Sequence, residues 1–283
     1  HMFYENAVFN EPIGNWDTSQ VTKMDNMFYK ATRFNQPIGD WDTSRVTNME
    51  CMFYKAEAFN QPLNNWNTGR VTNMTGMFAY AANFNQPIGD WNTGRVTNMN
   101  CMFTNAYKFN QPIGDWNTSS VIIMKGMFAA AVSFNQPIDN GRGVVEQRWA
   151  FVFSQYQPKS HRLPWYLLRL ISSYAFERNT GFDTSSVTDM GYMFSRTYFN
   201  QPIGKWDTSN VTSMKHMFDV ATNFNQPLEN WDTGRVTEMQ NMFAYAYKFN
   251  QPIGDWDTSM VTNMNGMFEH ATNFNQPLEN WDT

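Results

Sequence analysis

The sequence predicts an α/β repeat protein, a solenoid in which each coil contributes one short strand and one short helix. A phenylalanine opens a 25-residue unit, F-N-Q-P-I-G-D-W-D-T-S-R-V-T-N-M-E-C-M-F-Y-K-A-E-A, and recurs at positions 9, 34, 59, 84, 109, 134, 199, 224, 249 and 274. The period breaks once, over residues 141–182. A fixed period of this size is typical of stacked coils, which together bury apolar residues that one coil could not bury alone.

The helix and the strand are predicted from different parts of the unit. Met24, Met27, Phe28 and Ala31 follow the spacing i, i+3, i+4, i+7 of one helical face. We therefore expect a short helix over about 21–32, and over the equivalent residues of every unit, capped by an upstream Thr, Asp or Asn. The stretch Q-P-I-G-D-W is too short for a helix and predicts an extended strand in a narrow parallel sheet. Its proline removes one donor, so we expect short, irregular strands.

Recurrent residues suggest the core and its polar ties. The candidate core is the opening Phe, an aliphatic residue, Trp, Val, two Met, a second Phe and a closing Ala. The Asn-Gln pair after the opening Phe is expected to hydrogen-bond from coil to coil. The Asp-Thr or Asn-Thr pair after Trp predicts an Asx turn or a helix cap. A calcium site at Asp40 and Asp42 is a weaker alternative, because later units carry Asn67, Asn92 and Asn117 in place of the second carboxylate.

The two cysteines, Cys51 and Cys101, occupy the same position two coils apart. With coils about 4.8 Å apart, their Cα atoms would be separated by about 10 Å, beyond the roughly 7 Å limit for a disulfide. We therefore expect two free thiols, which give no indication of the redox compartment.

Composition and motif content argue against several function classes. The chain has 283 residues and a formal net charge of -5, which disfavours nucleic-acid binding. No uniformly apolar run of about 18 residues is present, so no membrane span is expected, and no secretory signal is visible. The histidines form no triad or zinc pattern, so we expect no enzyme, metal or cofactor. The first two residues look like a cloning remnant and the last repeat is incomplete, so we expect a segment of a longer array.

The repeat resembles a known family. The motif F-N-Q-P-I-G-D-W-D-T-S-x-V-T-N-M-x-x-M-F-x-x-A is similar to the repeat of BspA-like leucine-rich-repeat surface proteins, including arrays associated with mycoplasma lipoproteins. The similarity covers about 2–140 and 183–283. It implies a right-handed leucine-rich-repeat-like solenoid at the cell surface or secreted, acting in adhesion or protein–protein interaction, and it carries over no catalytic or ligand-binding residue. The predicted domains are the repeat solenoid 1–140, the insert 141–182 and the repeat solenoid 183–283.

The insert is basic, whereas the rest of the chain is acidic. Three alternatives remain open. It is a functional insert, in which Trp165, Tyr166 and Leu168 on a predicted helix anchor a partner or a lipid surface. It is a structural insert that covers exposed coil edges. Or it is a stretch translated out of frame, which the gene sequence would decide.

Function in repeat arrays usually lies at exposed positions that vary between coils. Here these positions lie between the Met-Phe pair and the next opening Phe, and their Tyr, Lys and Asn content suits protein or glycan contact. The candidate interaction surface is Tyr4, Tyr29, Lys30, Arg33, Tyr54, Lys55, Tyr80, Lys108 and Lys248. We expect a non-enzymatic adhesion or interaction module with an unidentified protein or glycan ligand. The alternatives are a structural spacer or coat array without a ligand, and binding through the basic insert.

Overall fold

The computed structural model of the chain describes residues 1–138 and 182–282. Within these ranges the chain forms a stack of coils that consist almost entirely of turns. The described residues contain no helix, and no strand is longer than one bridge residue. Parallel bridges link each coil to the next through Lys23, Asn48, Asn73, Asn98, Ile123, Asp189, Ser213, Glu238 and Asn263. The predicted α/β leucine-rich-repeat-like solenoid, with one helix and one strand per coil, is therefore wrong.

The helix predicted over about 21–32 and its equivalents does not form, because its backbone donors serve the neighbouring coil. The N–H groups of Met49, Cys51 and Phe53 donate to carbonyls one coil further along, at 3.0, 2.8 and 2.9 Å. Between these donors the chain closes i→i+3 turns, such as the 3.2 Å bond from the Met52 N–H to the Met49 carbonyl. A helix would instead direct each N–H to the carbonyl four residues earlier.

Left-handed residues allow the chain to turn in this way. Nearly every coil has two of them four positions apart, such as Cys51 with φ 50° and Lys55 with φ 55°. Gly76 takes the first position in the next coil, where glycine bears a left-handed backbone without steric cost. The i, i+3, i+4, i+7 spacing therefore reflects two successive turns that direct the same side chains inward.

The strand predicted at Q-P-I-G-D-W is also wrong. The Trp41 N–H donates to the Ile38 carbonyl at 3.2 Å and closes a turn, while the Trp41 indole donates to the Ile13 carbonyl of the preceding coil at 3.0 Å. This indole bond recurs along the stack. A Cβ at Gly39 would lie 2.8 Å from the Pro62 carbonyl oxygen, so glycine permits a close approach of the coils. Side chains and close packing, rather than a backbone ladder, join the coils here.

The recurrent apolar positions form one continuous core, as predicted. Phe53 is fully buried, with its ring centroid 4.0 Å from that of Phe59 and 5.5 Å from that of Phe78 in the next coil. Met49 and Met52 are fully buried beside it. Because these methionines are buried, the methionine stripe belongs to the core and is not a partner groove. Burial of each such side chain stabilises the fold by about 1.5–3 kcal/mol.

The predicted polar ties between coils are confirmed. The Asn35 side-chain oxygen accepts the Asn60 N–H at 2.9 Å, and the Gln61 amide donates to the Asn35 carbonyl at 2.9 Å. These amides are half-buried rather than buried. The Ser44 N–H donates to the Asp42 carboxylate at 2.9 Å, which is the predicted Asx turn. The threonine that follows is also buried in most coils, and Thr43, Thr68 and Thr93 each donate a further bond to a carbonyl of the next coil.

The coils on the two sides of the insert stack directly on each other, since Ile123 bridges Asp189. The chain leaves a coil after Ile138 and re-enters it at Phe182, which replaces the usual Trp and stacks on Trp206 at 6.2 Å. The Trp206 indole donates to the Ile138 carbonyl at 3.4 Å, the bond that other coils make. Phe182 therefore belongs to the stack. The division into three domains stays a prediction.

Replacing Val220 by glycine is expected to stabilise the protein. Val220 is β-branched with φ 58°, and a left-handed backbone costs a side-chain-bearing residue roughly 1–2 kcal/mol. Glycine also raises the conformational entropy of the unfolded chain, which offsets part of this gain. We therefore expect the free energy of unfolding to rise by about 0.5–1 kcal/mol. Urea denaturation measures it. Thr222→Gly, at a position without a left-handed backbone, is the control and should lower stability. A loss of stability in V220G would contradict the conclusion that the left-handed backbone at Val220 is strained.

Replacing residues 139–181 by the dipeptide Gly-Asp, which separates Ile38 from Trp41, is expected to leave a folded array. Ile138 and Phe182 already hold the equivalent places, and a shorter loop costs less closure entropy. The midpoint of urea denaturation should stay or rise. Joining Ile138 directly to Phe182 is the matched control and should destabilise the shortened coil. Loss of cooperative unfolding with the dipeptide would mean that stacking requires the insert.

Candidate functional site

Four tyrosines and two lysines lie together along the first coils. We call this set the tyrosine–lysine strip, and its members are Tyr4, Tyr29, Lys30, Tyr54, Lys55 and Tyr80. Each follows a Met-Phe pair, in the turn whose N–H groups bond the next coil. The backbone ladder therefore fixes the spacing of the side chains.

The tyrosine rings form a stack at the spacing of the coils. Tyr29 lies between Tyr4 and Tyr54, with centroids 4.6 Å apart on both sides and interplanar angles of 4° and 7°. Tyr80 continues the row at 5.3 Å from Tyr54 but is tilted by 60°. It comes from the next position of its coil, because the small, buried Ala79 occupies the tyrosine column there.

The lysines lie over these rings. The Lys55 ammonium is 5.9 Å from the Tyr54 centroid and 5.1 Å from that of Tyr80, within cation–π distance. Lys30 lies 5.3 Å from the Tyr29 centroid and donates to the Glu5 carboxylate at 2.6 Å. This hydrogen bond is the main cause that raises the pKa of Lys30. The strip thus combines flat aromatic surface, phenol hydroxyls and cationic groups.

Three of the predicted surface residues lie apart from the strip. Arg33 and Lys108 are exposed, and the Lys248 ammonium donates to Asn223 at 2.9 Å. Within the described residues, none of the three forms a hydrogen bond, an ion pair or a cation–π contact with the strip. Conversely, Glu5 belongs to the site and was not among the predicted residues, although its position 25 residues before Lys30 could have indicated the pair. The predicted insert anchors, Trp165, Tyr166 and Leu168, lie outside the described residues.

The later coils carry aromatic pairs that the sequence analysis missed. His216 stacks on Tyr192 at 4.5 Å and pairs with Asp219 at 3.2 Å. Tyr245 stacks on His270 at 4.7 Å. The signal was available in the spacing, because the two residues of each pair lie one repeat apart. No group of three or more His, Cys, Asp or Glu within 1–138 and 182–282 is placed to hold a metal ion.

A family model described as "Mycoplasma protein of unknown function, DUF285" matches residues 1–81, 61–160 and 170–281. The three matches cover nearly the whole chain, and they identify a mycoplasma-type repeat, which was one part of the resemblance noted in the sequence. They do not extend to BspA-like proteins. No curated protein sequence matches the chain. In the part that the structure describes, no helix has the length and apolar character to cross a membrane.

Both cysteines are free thiols, as predicted. Cys51 lies below Gly76, whose added Cβ would come within 3.0 Å of the Cys51 sulfur. Burial raises the pKa of the Cys51 thiol to about 11, and the neighbouring Glu50 carboxylate adds to the rise. Since the thiolate is the reactive form, this thiol is protected at neutral pH.

Cys51 is therefore expected to react slowly with iodoacetamide. In a Cys101→Ser variant at about pH 8, alkylation should be roughly a hundredfold slower than that of an unperturbed thiol with a pKa of about 8.5. The raised pKa shifts deprotonation of the thiol to higher pH. The alkylation rate should therefore increase about tenfold per pH unit and level off only near pH 11. The urea-unfolded protein is the control and should react at the ordinary rate. A plateau near pH 9 in the folded protein would contradict the burial.

Proposed function

Because the chain belongs to the Mycoplasma protein family of unknown function DUF285, we propose its function from the chemistry that its coils expose. It is a non-enzymatic surface module that binds a protein or glycan through the tyrosine–lysine strip. The observation that carries this proposal is the row of stacked tyrosines with lysines over their faces.

The strip is accessible and ordered in advance of binding. Tyr4 is 45% exposed and Tyr80 36% exposed, while the rings between them are half-buried. Neighbouring rings on both sides leave the side chains of Tyr29 and Tyr54 little conformational freedom to lose. Binding then costs less side-chain entropy than it would on a flexible surface.

The chemistry of the strip suits a ligand with flat apolar faces and polar edges. Tyrosine provides large contact area with a hydroxyl at its rim, and it is enriched among the residues that dominate binding energy. Partial burial is the largest cause that raises the pKa of Tyr54, so its phenol stays a neutral donor. Lys30 is paired with Glu5, whereas Lys55 has no ion-pair partner among the described residues. Lys55 is therefore the cation offered to an acidic or carbonyl-rich partner.

The cell-surface or secreted location and the adhesive role are supported by the resemblance of the repeat to BspA-like surface proteins. The absence of a triad or zinc pattern in the sequence supports a role without catalysis. The competing proposals are a structural spacer or coat array without a ligand, and binding through the insert. Under either competing proposal, changing the tyrosine–lysine strip would leave ligand binding unaffected.

The test is binding of the purified chain to arrays of host matrix proteins and glycans and to host cells. A Tyr29→Ser and Tyr54→Ser double variant is expected to weaken binding about tenfold or more, because it removes the centre of the stacked surface. Tyr198→Ser is the matched control, since Tyr198 is 56% exposed and lies outside the strip. Thermal unfolding of both variants checks that the coils persist.

Three outcomes would overturn the proposal. Binding that the strip variant leaves unchanged would place the ligand elsewhere. Equal losses in the strip variant and in the control would indicate non-specific adhesion. No ligand in the full screen would favour the spacer.

A further inference from the structure

A second surface lies in the turn that follows Trp, where the coils differ in charge. Several coils have Asp-Thr-Ser here, and the serine hydroxyl donates to the carboxylate, as from Ser209 to Asp207 at 2.6 Å. Two successive coils instead read Asn-Thr-Gly-Arg, at 67–70 and 92–95. The turn still closes, because the Gly69 N–H donates to the side-chain oxygen of Asn67 at 3.1 Å. These coils therefore keep the turn but lose the negative charge and the serine side chain.

These substitutions accompany an open groove with a volume of about 590 Å³. We call it the arginine groove, and the lining residues that concern its chemistry are Thr47, Asn67, Gly69, Arg70, Thr72 and Arg95. A Cβ at Gly69 would lie 3.3 Å from both the Asn67 oxygen and the Asn92 amide nitrogen. Glycine thus keeps the floor of the groove clear between the two amides.

The guanidinium groups of Arg70 and Arg95 have no hydrogen-bond or ion-pair partner among residues 1–138 and 182–282. Both side chains are exposed. Other arginines in this column are partnered, since Arg45 donates to Gln20 and Arg235 donates to Asn210 at 2.8 Å. Two arginines on adjacent coils that are not paired within the described residues, in a protein whose net charge is -5, indicate a local site for an anion rather than a general electrostatic attraction.

The rest of the lining adds neutral hydrogen-bonding groups. The hydroxyl of Thr72 donates to the Thr47 carbonyl at 3.3 Å, which leaves its oxygen free to accept a bond from a ligand hydroxyl. The amide nitrogens of Asn67 and Asn92 are donors. Guanidinium groups bind sulfate and carboxylate in a bidentate manner. The groove therefore matches a ligand that carries both anionic groups and hydroxyls.

We infer that the arginine groove binds a linear anionic polysaccharide, with sulfate or carboxylate groups on Arg70 and Arg95. The lining favours this class over an acidic peptide. Acidic side chains would supply carboxylates for the two arginines but no hydroxyls for Thr72 and the asparagine amides. The site shares no residue with the tyrosine–lysine strip.

The test uses immobilised heparin as the probe, with poly-glutamate as the peptide comparison, at about 0.15 M salt, where exposed charges are already screened beyond about 8 Å. The wild-type chain is expected to bind heparin, and more tightly than poly-glutamate. Arg70→Gln with Arg95→Gln should weaken binding about tenfold or more. Arg235→Gln is the matched control, because it removes an exposed but partnered arginine that lies beside Asp232, and it should bind as the wild type does.

A second variant preserves both arginines. Asn67→Asp with Asn92→Asp restores the sequence that the chain itself uses at 232–235, so folding should be unaffected, and we expect the same loss of heparin binding. Absence of wild-type binding, unchanged binding in either double variant, or an equal loss in Arg235→Gln would overturn the site. Binding of poly-glutamate as tight as that of heparin would overturn the choice of ligand class. None of these outcomes bears on the tyrosine–lysine strip.

Discussion

Backbone donors that alternate between the coil and its neighbour hold the stack together. In the Met-x-x-Met-Phe segment, the N–H groups of Met49, Cys51, Phe53 and Lys55 all donate to the next coil, while those between them close turns within the coil. Left-handed residues keep the successive inter-coil donors pointing along the stack while the chain turns. This arrangement fixes the register at one repeat, so each position lies over its equivalent. Both the core and the outer surfaces follow from that register.

With the register fixed, a column of equivalent residues becomes the structural unit. Inside, Phe53 stacks on Phe78 at 5.5 Å, and outside, Tyr4 stacks on Tyr29 at 4.6 Å by the same relation. The core columns tolerate little variation because the interior is close-packed. Residues 139–181 fall between the aliphatic position Ile138 and the Trp position Phe182, and Ile123 still bridges Asp189 on the two sides of them. Most variation lies in the outer columns, and both proposed binding surfaces are built from them.

The sequence was sufficient to predict what a column shares, but not the path of the backbone. The buried Phe and Met positions and the Asn35 ladder follow from constancy at one repeat. The i, i+3, i+4, i+7 spacing suggested a helix because two successive turns produce the same inward pattern. Nearly every coil has two left-handed positions. Gly76 at the first of them argued against a helix, but Val220 occupies the second, where a β-branched residue gives no sign of a left-handed backbone. The tyrosine column was recognised from the sequence, but the stacking of its rings was not. Arg70 and Arg95 were missed because they lie in a turn to which only a structural role was assigned.

Fixed register also makes runs of like charge costly. Two unit charges about 4 Å apart in water repel by about 1 kcal/mol, and the coil spacing brings equivalent side chains close to that separation. The chain compensates its aspartates locally: hydrogen bonds from Ser44 lower the pKa of Asp42, although the charge of Asp17 one coil away opposes this. The described residues provide no such partner for Arg70 and Arg95, whose own turns carry neutral amides. An anion bound in the arginine groove, as proposed, would offset the repulsion between the two arginines, so the same register that penalises the free site would favour the occupied one.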